Sequence, residues 1–386
     1  MNHTAKLSRF LFALLTGGVL LGSGRREQVR DWTATRDSTG FRVITGVQTA
    51  CTSCIALREI AVLGTDTLQG ELEDRGTIRS VVRDRQGRFW AGQRTTIKVF
   101  APDGRYLRSV GRSGQGPMEF AFAQPVHSDS TGSIHVVDPR LGRETIIGPD
   151  FSHRSDRTMP VHFDGVAMVP GAGHQYVIAK WATGGRGKAF PLHLMSGSET
   201  QISFGLRSQS TEIETVRGIS GRVINVGPTG HVFSSQTDSY EIEAWTLEGN
   251  RVVGFRLPNL NTALIGRGGL VTVDNPLRNS VSDVTAYDAN HVWVITWHRR
   301  PNWRDFMVER TLRDGSTYLE PKDGILSAAY RSRIDLLDLN SSSVLASTWQ
   351  DGLLLRFIEP RLVLKLDHND AGAPILRVFE ANVQRR

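Results

Sequence analysis

From residue 80 onward the chain alternates short apolar runs with clusters of Gly, Asp, Pro and Asn, the pattern of strands joined by tight turns. The clearest stretch is 81–120, VVRDRQGRFWAGQRTTIKVFAPDGRYLRSVGRSGQGPMEF. With Ser80 it predicts four strands: Ser80 to Val82, Phe89 to Gly92, Ile97 to Ala101 and Tyr106 to Gly111. The turns between them are Asp84-Arg-Gln-Gly87 and Pro102-Asp-Gly104.

The first turn recurs as Asp129-Ser-Thr-Gly132, Pro170-Gly-Ala-Gly173, Gly227-Pro-Thr-Gly230, Asp288-Ala-Asn-His291 and Leu339-Asn-Ser-Ser342. Each precedes an apolar run, and aligning those runs superimposes Trp90, His135, Tyr176, Phe233, Trp293 and Leu345. Second turns follow at Pro102, Pro149, Ser196, Glu248, Arg313 and Glu359. Six units of four strands predict an all-β fold, a six-bladed β-propeller with four-stranded antiparallel blades. The cause is burial: a lone four-stranded sheet exposes both faces, whereas radially packed sheets cover one another and a closed ring has no terminal blade. The run LREIAVLG at 57–64 resembles the outermost strand YLRSVG at 106–111. It is therefore expected to complete the last blade and close the ring.

Two segments carry a family resemblance. FAPDGRYLRSVGRSGQGPMEF at 100–120 is similar to the turn, strand and G-x-x-G-x-G-P-x-x-F connection of NHL-repeat blades, and SIHVVDPRLGRETII at 133–147 to their V-x-D-x-x-N-x-R-I segment. Gly142 stands where that family usually has Asn, and the later units lose both motifs. The resemblance implies a six-bladed propeller of bacterial exported type. It implies no chemistry, because propellers host unrelated functions.

Residues 1–24 have a different pattern. Lys6 and Arg9 precede an apolar run from Phe10 to Leu21 that ends in Gly22-Ser23-Gly24, the layout of a cleaved signal peptide. A transmembrane anchor is the competing reading, but the run is well short of the roughly 20 residues needed to span a bilayer. No Cys follows it, which argues against a lipid-modified terminus. The expected organisation is a signal peptide at 1–24, a lead segment with a CxxC at 25–56 and a single propeller domain at 57–386. A periplasmic or extracellular monomer follows, with no membrane span after cleavage.

The chain is 39% hydrophobic and 22% charged, with 39 glycines in 386 residues, as suits a turn-rich all-β protein. Its net charge of +7 comes from forty arginines and only six lysines. Base-composition bias explains such an excess, and so does attraction to an anionic partner. Nucleic acid is not expected as a partner, since no nucleic-acid-binding motif is present.

Cys51 and Cys54 are the two cysteines. A structural disulfide suits an exported chain. A redox pair would need a helix start in a βαβ pattern, and haem attachment would need His at 55, where Ile stands. There is no Gly-x-Ser-x-Gly elbow, no His-Glu-x-x-His and no phosphate loop. His127, His135, His153, His162 and His174 cluster in sequence, but His135 occupies the strand position of Trp90, so it reads as a packed residue. Asp84, Asp129 and Asp288 sit in turns, where their carboxylates bond the local backbone. No metal site or cofactor is expected.

Two connections between second and third strands are expanded: Lys180 to Lys188 and Trp297 to Arg304. Loops on a rigid frame are where specificity is placed. Lys180, Trp181, Arg186, Lys188, Trp297, Arg299, Arg300, Trp303 and Arg304 are the candidate ligand-binding residues, for an anionic or carbohydrate ligand or a protein partner. Arg would pair with carboxylate or phosphate and Trp would offer a stacking plane. Arg94, Arg140, Arg143 and Trp349 are expected in the equivalent connections of other blades. Two functional classes remain open. One is an exported, non-catalytic binding propeller; the other is a lactonase-like hydrolase or lyase.

Overall fold

The computed structural model describes residues 33–36, 40, 42–45, 51–65, 69–72, 80–161, 163, 165–171, 174–179, 191–205, 222–237, 240–256, 271–272, 276–341 and 343–384. The expected signal peptide at 1–24 lies outside the described residues.

Six antiparallel sheets form the blades of a propeller. Blade 1 comprises Val81–Arg83, Phe89–Gly92, Ile97–Phe100 and Tyr106–Val110, and blade 2 comprises Gln124–Ser128, Ile134–Asp138, Arg143–Ile147 and His153–Thr158. Blade 3 is Gly165–Met168, Gln175–Ala179, Leu192–Ser196 and Glu199–Phe204; blade 4 is Arg222–Val226, Val232–Gln236, Glu241–Trp245 and Arg251–Arg256. Blade 5 is Ser280–Ala286, His291–Arg299, Tyr330–Asp338 and Ser343–Asp351. Blade 6 takes Leu353–Glu359, Leu362–His368 and Pro374–Val383 from the C-terminus and its outermost strand, Ile55–Leu63, from the N-terminal region.

Among the described residues the buried apolar side chains fall into six clusters, one at each seam between blades. Trp90, Ile97 and Val99 of blade 1 meet Phe120, Ile134 and Ile147 of blade 2. The remaining seams repeat this around the ring, and Leu63, Leu364 and Leu376 of blade 6 meet Phe89 and Phe100 of blade 1. Each sheet thus loses both faces to neighbours, which a four-stranded sheet cannot do alone.

The closing strand pairs antiparallel with the last one, from Ile55 opposite Val383 to Leu63 opposite Leu376. Gly104, in the Pro102-Asp-Gly turn of blade 1, has φ +94° and lies so close to the closing strand that a Cβ there would sit 2.3 Å from the Val62 carbonyl oxygen. Only glycine combines that backbone conformation with that approach.

The lead segment follows the outer rim. Arg42 and Val43 pair in parallel with Phe255 and Arg256 on the edge of blade 4. Cys51 and Cys54 are joined by a disulfide; the Cys51 carbonyl accepts the Ser347 N–H of blade 5, and the Cys54 carbonyl accepts the Gln384 N–H of blade 6.

The expected frame slips in the last two units. The run from Leu339 to Ser342 reads as the first turn of a sixth unit, but its described residues, 339–341, follow the third strand of blade 5. Glu359-Pro-Arg361 is the first turn of blade 6, and Arg313-Asp-Gly315 is the tip of a hairpin, Met307–Thr311 with Thr317–Pro321, inserted between the second and third strands of blade 5. That insertion displaces the repeat by half a unit. Trp349 accordingly sits on the outer strand of blade 5 rather than in a connection.

The recurrent turn aspartates bind what lies next to them. Asp84 Oδ1 accepts the N–H groups of Gln86 and Arg88, both at 2.9 Å, and its Oδ2 accepts the Trp90 indole N–H at 2.8 Å. Asp129 repeats the arrangement: Oδ1 accepts from Thr131 and Ser133, and Oδ2 lies 3.3 Å from His135 Nε2. His135 is 3% exposed, and its Nδ1 is 2.7 Å from Glu144 Oε1. Burial pulls the His135 pKa down, but the bonds and charges of Glu144 and Asp129 outweigh it and raise the pKa above the ordinary 6.5. Neighbouring His127 is held below 6.5 by burial and then by the His135 charge.

A histidine whose folded pKa is raised stabilises fully below the unfolded pKa and loses that contribution as pH rises through the folded value. The stability lead of the native protein over His135→Gln, measured by urea unfolding, is therefore expected to shrink from about pH 6.5 upward. A lead that stays constant to pH 9 would contradict the ion-paired assignment.

Candidate functional site

Propeller connections between second and third strands, and between blades, share one face of the disc. In blade 5 the former spans residues 300–329. It begins with a short 3-10 turn, Trp303–Phe306, continues through the hairpin and returns by Leu326–Ala329. This is a packed cap. Trp303 and Met307 are buried, and with Phe306, Leu319 and Leu326 they continue the cluster formed by Leu353 and Leu355 of blade 6.

The five candidate residues from 297–304 take clear structural positions. Trp297 lies against blade 6 and donates its indole N–H to the Leu354 carbonyl at 2.6 Å. Trp303 is 4% exposed, and the guanidinium carbons of Arg299 and Arg304 lie 5.5 and 5.6 Å from its ring centroid. Arg300 pins the insertion: its Nη2 donates to Asp351 Oδ1 at 2.7 Å and its Nε to the Tyr330 carbonyl at 3.2 Å. Neither tryptophan offers a stacking plane, because one is used by the adjoining blade and the other by two arginines. Lys180, Trp181, Arg186 and Lys188 lie outside the described residues.

Arg299 and Arg304 remain exposed. Among the described residues neither guanidinium pairs with a carboxylate; Asp305, beside Arg304, accepts instead from the Asn302 amide at 3.2 Å. Stacking on a buried indole fixes the two cations while leaving their N–H groups outward, which lowers the ordering cost of binding an anion.

Other arginines expected on this face are partly committed. Arg143 donates Nη1 to the Gln115 carbonyl at 2.9 Å and Nη2 to the Glu119 carbonyl. Arg140 lies over the Phe122 ring at 5.2 Å, and Arg94 is exposed. Beneath them Asp138, 1% exposed, accepts four backbone N–H groups, from Ala121 and Phe122 at 2.7 and 2.9 Å and from Arg140 and Leu141 at 3.0 Å. The two motif segments at 100–120 and 133–147 therefore meet through Arg143, and Asp138 holds the residues just after the first segment, a structural role.

The alternation Arg331-Ser-Arg333-Ile-Asp335 escaped the sequence reading. On a strand it places three ionisable groups on one face, and only the register with Trp349 and His298 gives that row a setting. Among the described residues, no group of three or more His, Cys, Asp or Glu side chains is arranged to hold a metal ion. No helix among them is long and apolar enough to cross a membrane.

No family model and no curated protein matches the sequence. Solved structures do match in fold. A member of the duf4221 family from Bacteroides vulgatus is 8% identical with a TM-score of 0.52, over 85% of this chain and 99% of its own. A protein of Bacteroides fragilis whose name marks it as a candidate exported protein is 12% identical with a TM-score of 0.49, over 86% and 96%. A virginiamycin B lyase from Staphylococcus aureus is 11% identical with a TM-score of 0.42, over 84% and 99%. At these identities the likeness bears on fold alone, and the two scores below 0.5 carry no inference.

The packing separates the roles of neighbouring residues. Trp303→Ala is expected to lower unfolding free energy by about 3–5 kcal/mol, as for other buried aromatic truncations. Exposed Arg304→Gln should stay within about 0.5 kcal/mol of the parent. Urea unfolding of the two variants checks both figures.

Proposed function

We propose that the protein is an exported, non-catalytic propeller that binds an acidic polymer or sugar on the connection face of blade 5. Export rests on the pattern of residues 1–24, with the periplasm or the exterior as destination. The observation that carries the binding reading is the pair Arg299 and Arg304: exposed, fixed on the same buried indole and unpaired with any carboxylate among the described residues.

Guanidinium groups suit this role because their planar donors match carboxylate or sulfate oxygens two at a time. In the sequence, the expanded connection from Lys180 to Lys188 supplies further cations of the same sign. An arginine-rich face also raises the encounter rate with a polyanion at low salt.

Polygalacturonate binding by the full chain, with dextran as the neutral control, tests the reading. Arg299→Gln with Arg304→Gln should weaken polygalacturonate binding about tenfold or more, the loss expected on removing charge-assisted bonds. Raising salt to about 1 M, where screening acts within about 3 Å, should weaken the parent protein similarly. The polymer should be recovered at its original length. Undiminished binding by the double variant would sink this reading, and shortened polymer would favour the lyase alternative.

A further inference from the structure

The sheet face of blade 5 that packs on blade 4 holds a second set of basic and aromatic groups. Arg331, Arg333 and Asp335 alternate along the third strand, with His298 opposite Arg331, and Trp349 and Ser347 opposite Arg333 and Asp335. Asp335 is fully buried. It accepts the Tyr240 hydroxyl of blade 4 at 3.0 Å and Arg333 Nε at 2.8 Å. That pairing fixes the root of Arg333 and commits one side of its guanidinium. The other side is not committed: among the described residues the buried Nη2 finds no hydrogen-bond partner. A buried guanidinium nitrogen without an acceptor is costly and calls for an explanation.

Around that nitrogen the setting is basic. The Arg331 guanidinium lies over the Trp349 ring at 3.9 Å, with Arg333 at 5.9 Å from the same centroid. His298 meets the indole edge to face, centroids 4.7 Å apart, and its Nε2 is 2.9 Å from Thr296 Oγ1. Burial, and then the charges of Arg333 and Arg331, hold the His298 pKa down to about 4, so the imidazole is neutral at pH 7. Asp351, opposite Arg331, is engaged by Arg300. Two arginines therefore face one carboxylate, Asp335. Trp349 is 41% exposed, with Arg331 as the group lying over its ring.

We infer that this seam between blades 4 and 5 is a binding site for a sugar bearing an oxyanion, its oxygens bridging Arg331 and Arg333 Nη2 and the C–H face of its ring resting on Trp349. Nη2 has no surface open to water while Arg331 lies over the indole, so the ligand enters as Arg331 swings aside. Arg331 is exposed, and a cation–π contact at an exposed site is among the weaker ones. The site is separate from the acidic-polymer face, since it needs neither Arg299 nor Arg304.

Isothermal titration of the full chain with glucuronate, glucose 6-phosphate and inorganic phosphate, at constant ionic strength, tests it. Saturable binding of at least one sugar anion is expected, about tenfold or more weaker in Arg331→Gln and in Trp349→Ala, and unchanged in Arg299→Gln with Arg304→Gln. Comparing the two sugar anions tells a carboxylate ligand from a phosphate. Arg331 and Trp349 are exposed, so these variants keep the fold, whereas Arg333→Gln would strand the buried Asp335. No saturable binding of any probe, or binding undiminished in both variants, overturns the proposal. So does inorganic phosphate binding as tightly as the sugar anions, because the ring then contributes nothing.

Discussion

Everything in this molecule depends on the pairing of Ile55–Leu63 with Pro374–Val383. A ring of sheets buries both faces of every blade only if the last blade meets the first with a full sheet. Without the N-terminal strand, blade 6 would keep three strands and the seam holding Leu63, Phe89 and Phe100 would open to water. Leu63 is wholly buried, and burying one such side chain is worth about 1.5–3 kcal/mol. The ion pairs along the strand, Arg58 with Glu380 and Glu59 with Arg377, are solvent-exposed and contribute little by comparison. Apolar burial and the backbone ladder thus hold the closure, while the charges help set register. The lead segment adds contacts to the edges of blades 4 and 5 before it enters blade 6.

A closed ring makes the connection face a fixed platform, and that changes what the arginine excess means. Arg88 binds Asp84 and the Pro149 carbonyl of the next blade. Arg143 holds two carbonyls, Arg300 ties an insertion to Asp351, and Arg377 bridges Glu59 and Asp367. These arginines stitch the structure together, so net charge overstates the number of cations available to a partner. Three exposed ones among the described residues rest on an aromatic ring instead. Arg299 and Arg304 do so at Trp303, and Arg331 at Trp349.

The fold was legible in the sequence because turn chemistry is local. Asp84 and Asp129 each announce a turn and bond the backbone of the residues that follow, and the ring six residues on completes the contact. The closing strand was legible because Leu57 to Gly64 has the same apolar pattern as the outermost strand of blade 1. The frame of blades 5 and 6 was not, because the inserted hairpin carries its own Asp-Gly turn at 314–315, indistinguishable in sequence from a turn of the repeat. The candidate site was legible in part. That Arg and Trp mix at 297–304 can be read directly; that Trp297 and Trp303 face inward depends on Leu353 and Leu354, fifty or more residues away. The row Arg331, Arg333, Asp335 has meaning only beside Tyr240 of another blade.

Native-state amide hydrogen exchange tests the ring closure most directly, because it reports the opening free energy of each strand separately. If the closing strand is integral to the ring, the amides of Ile55–Leu63 exchange only through global unfolding, with the same free energy as those of Leu362–His368 in the body of blade 6. Closing-strand amides that exchange orders of magnitude faster, while Leu362–His368 stays protected, would show that the propeller stands without its N-terminal strand and would contradict the account.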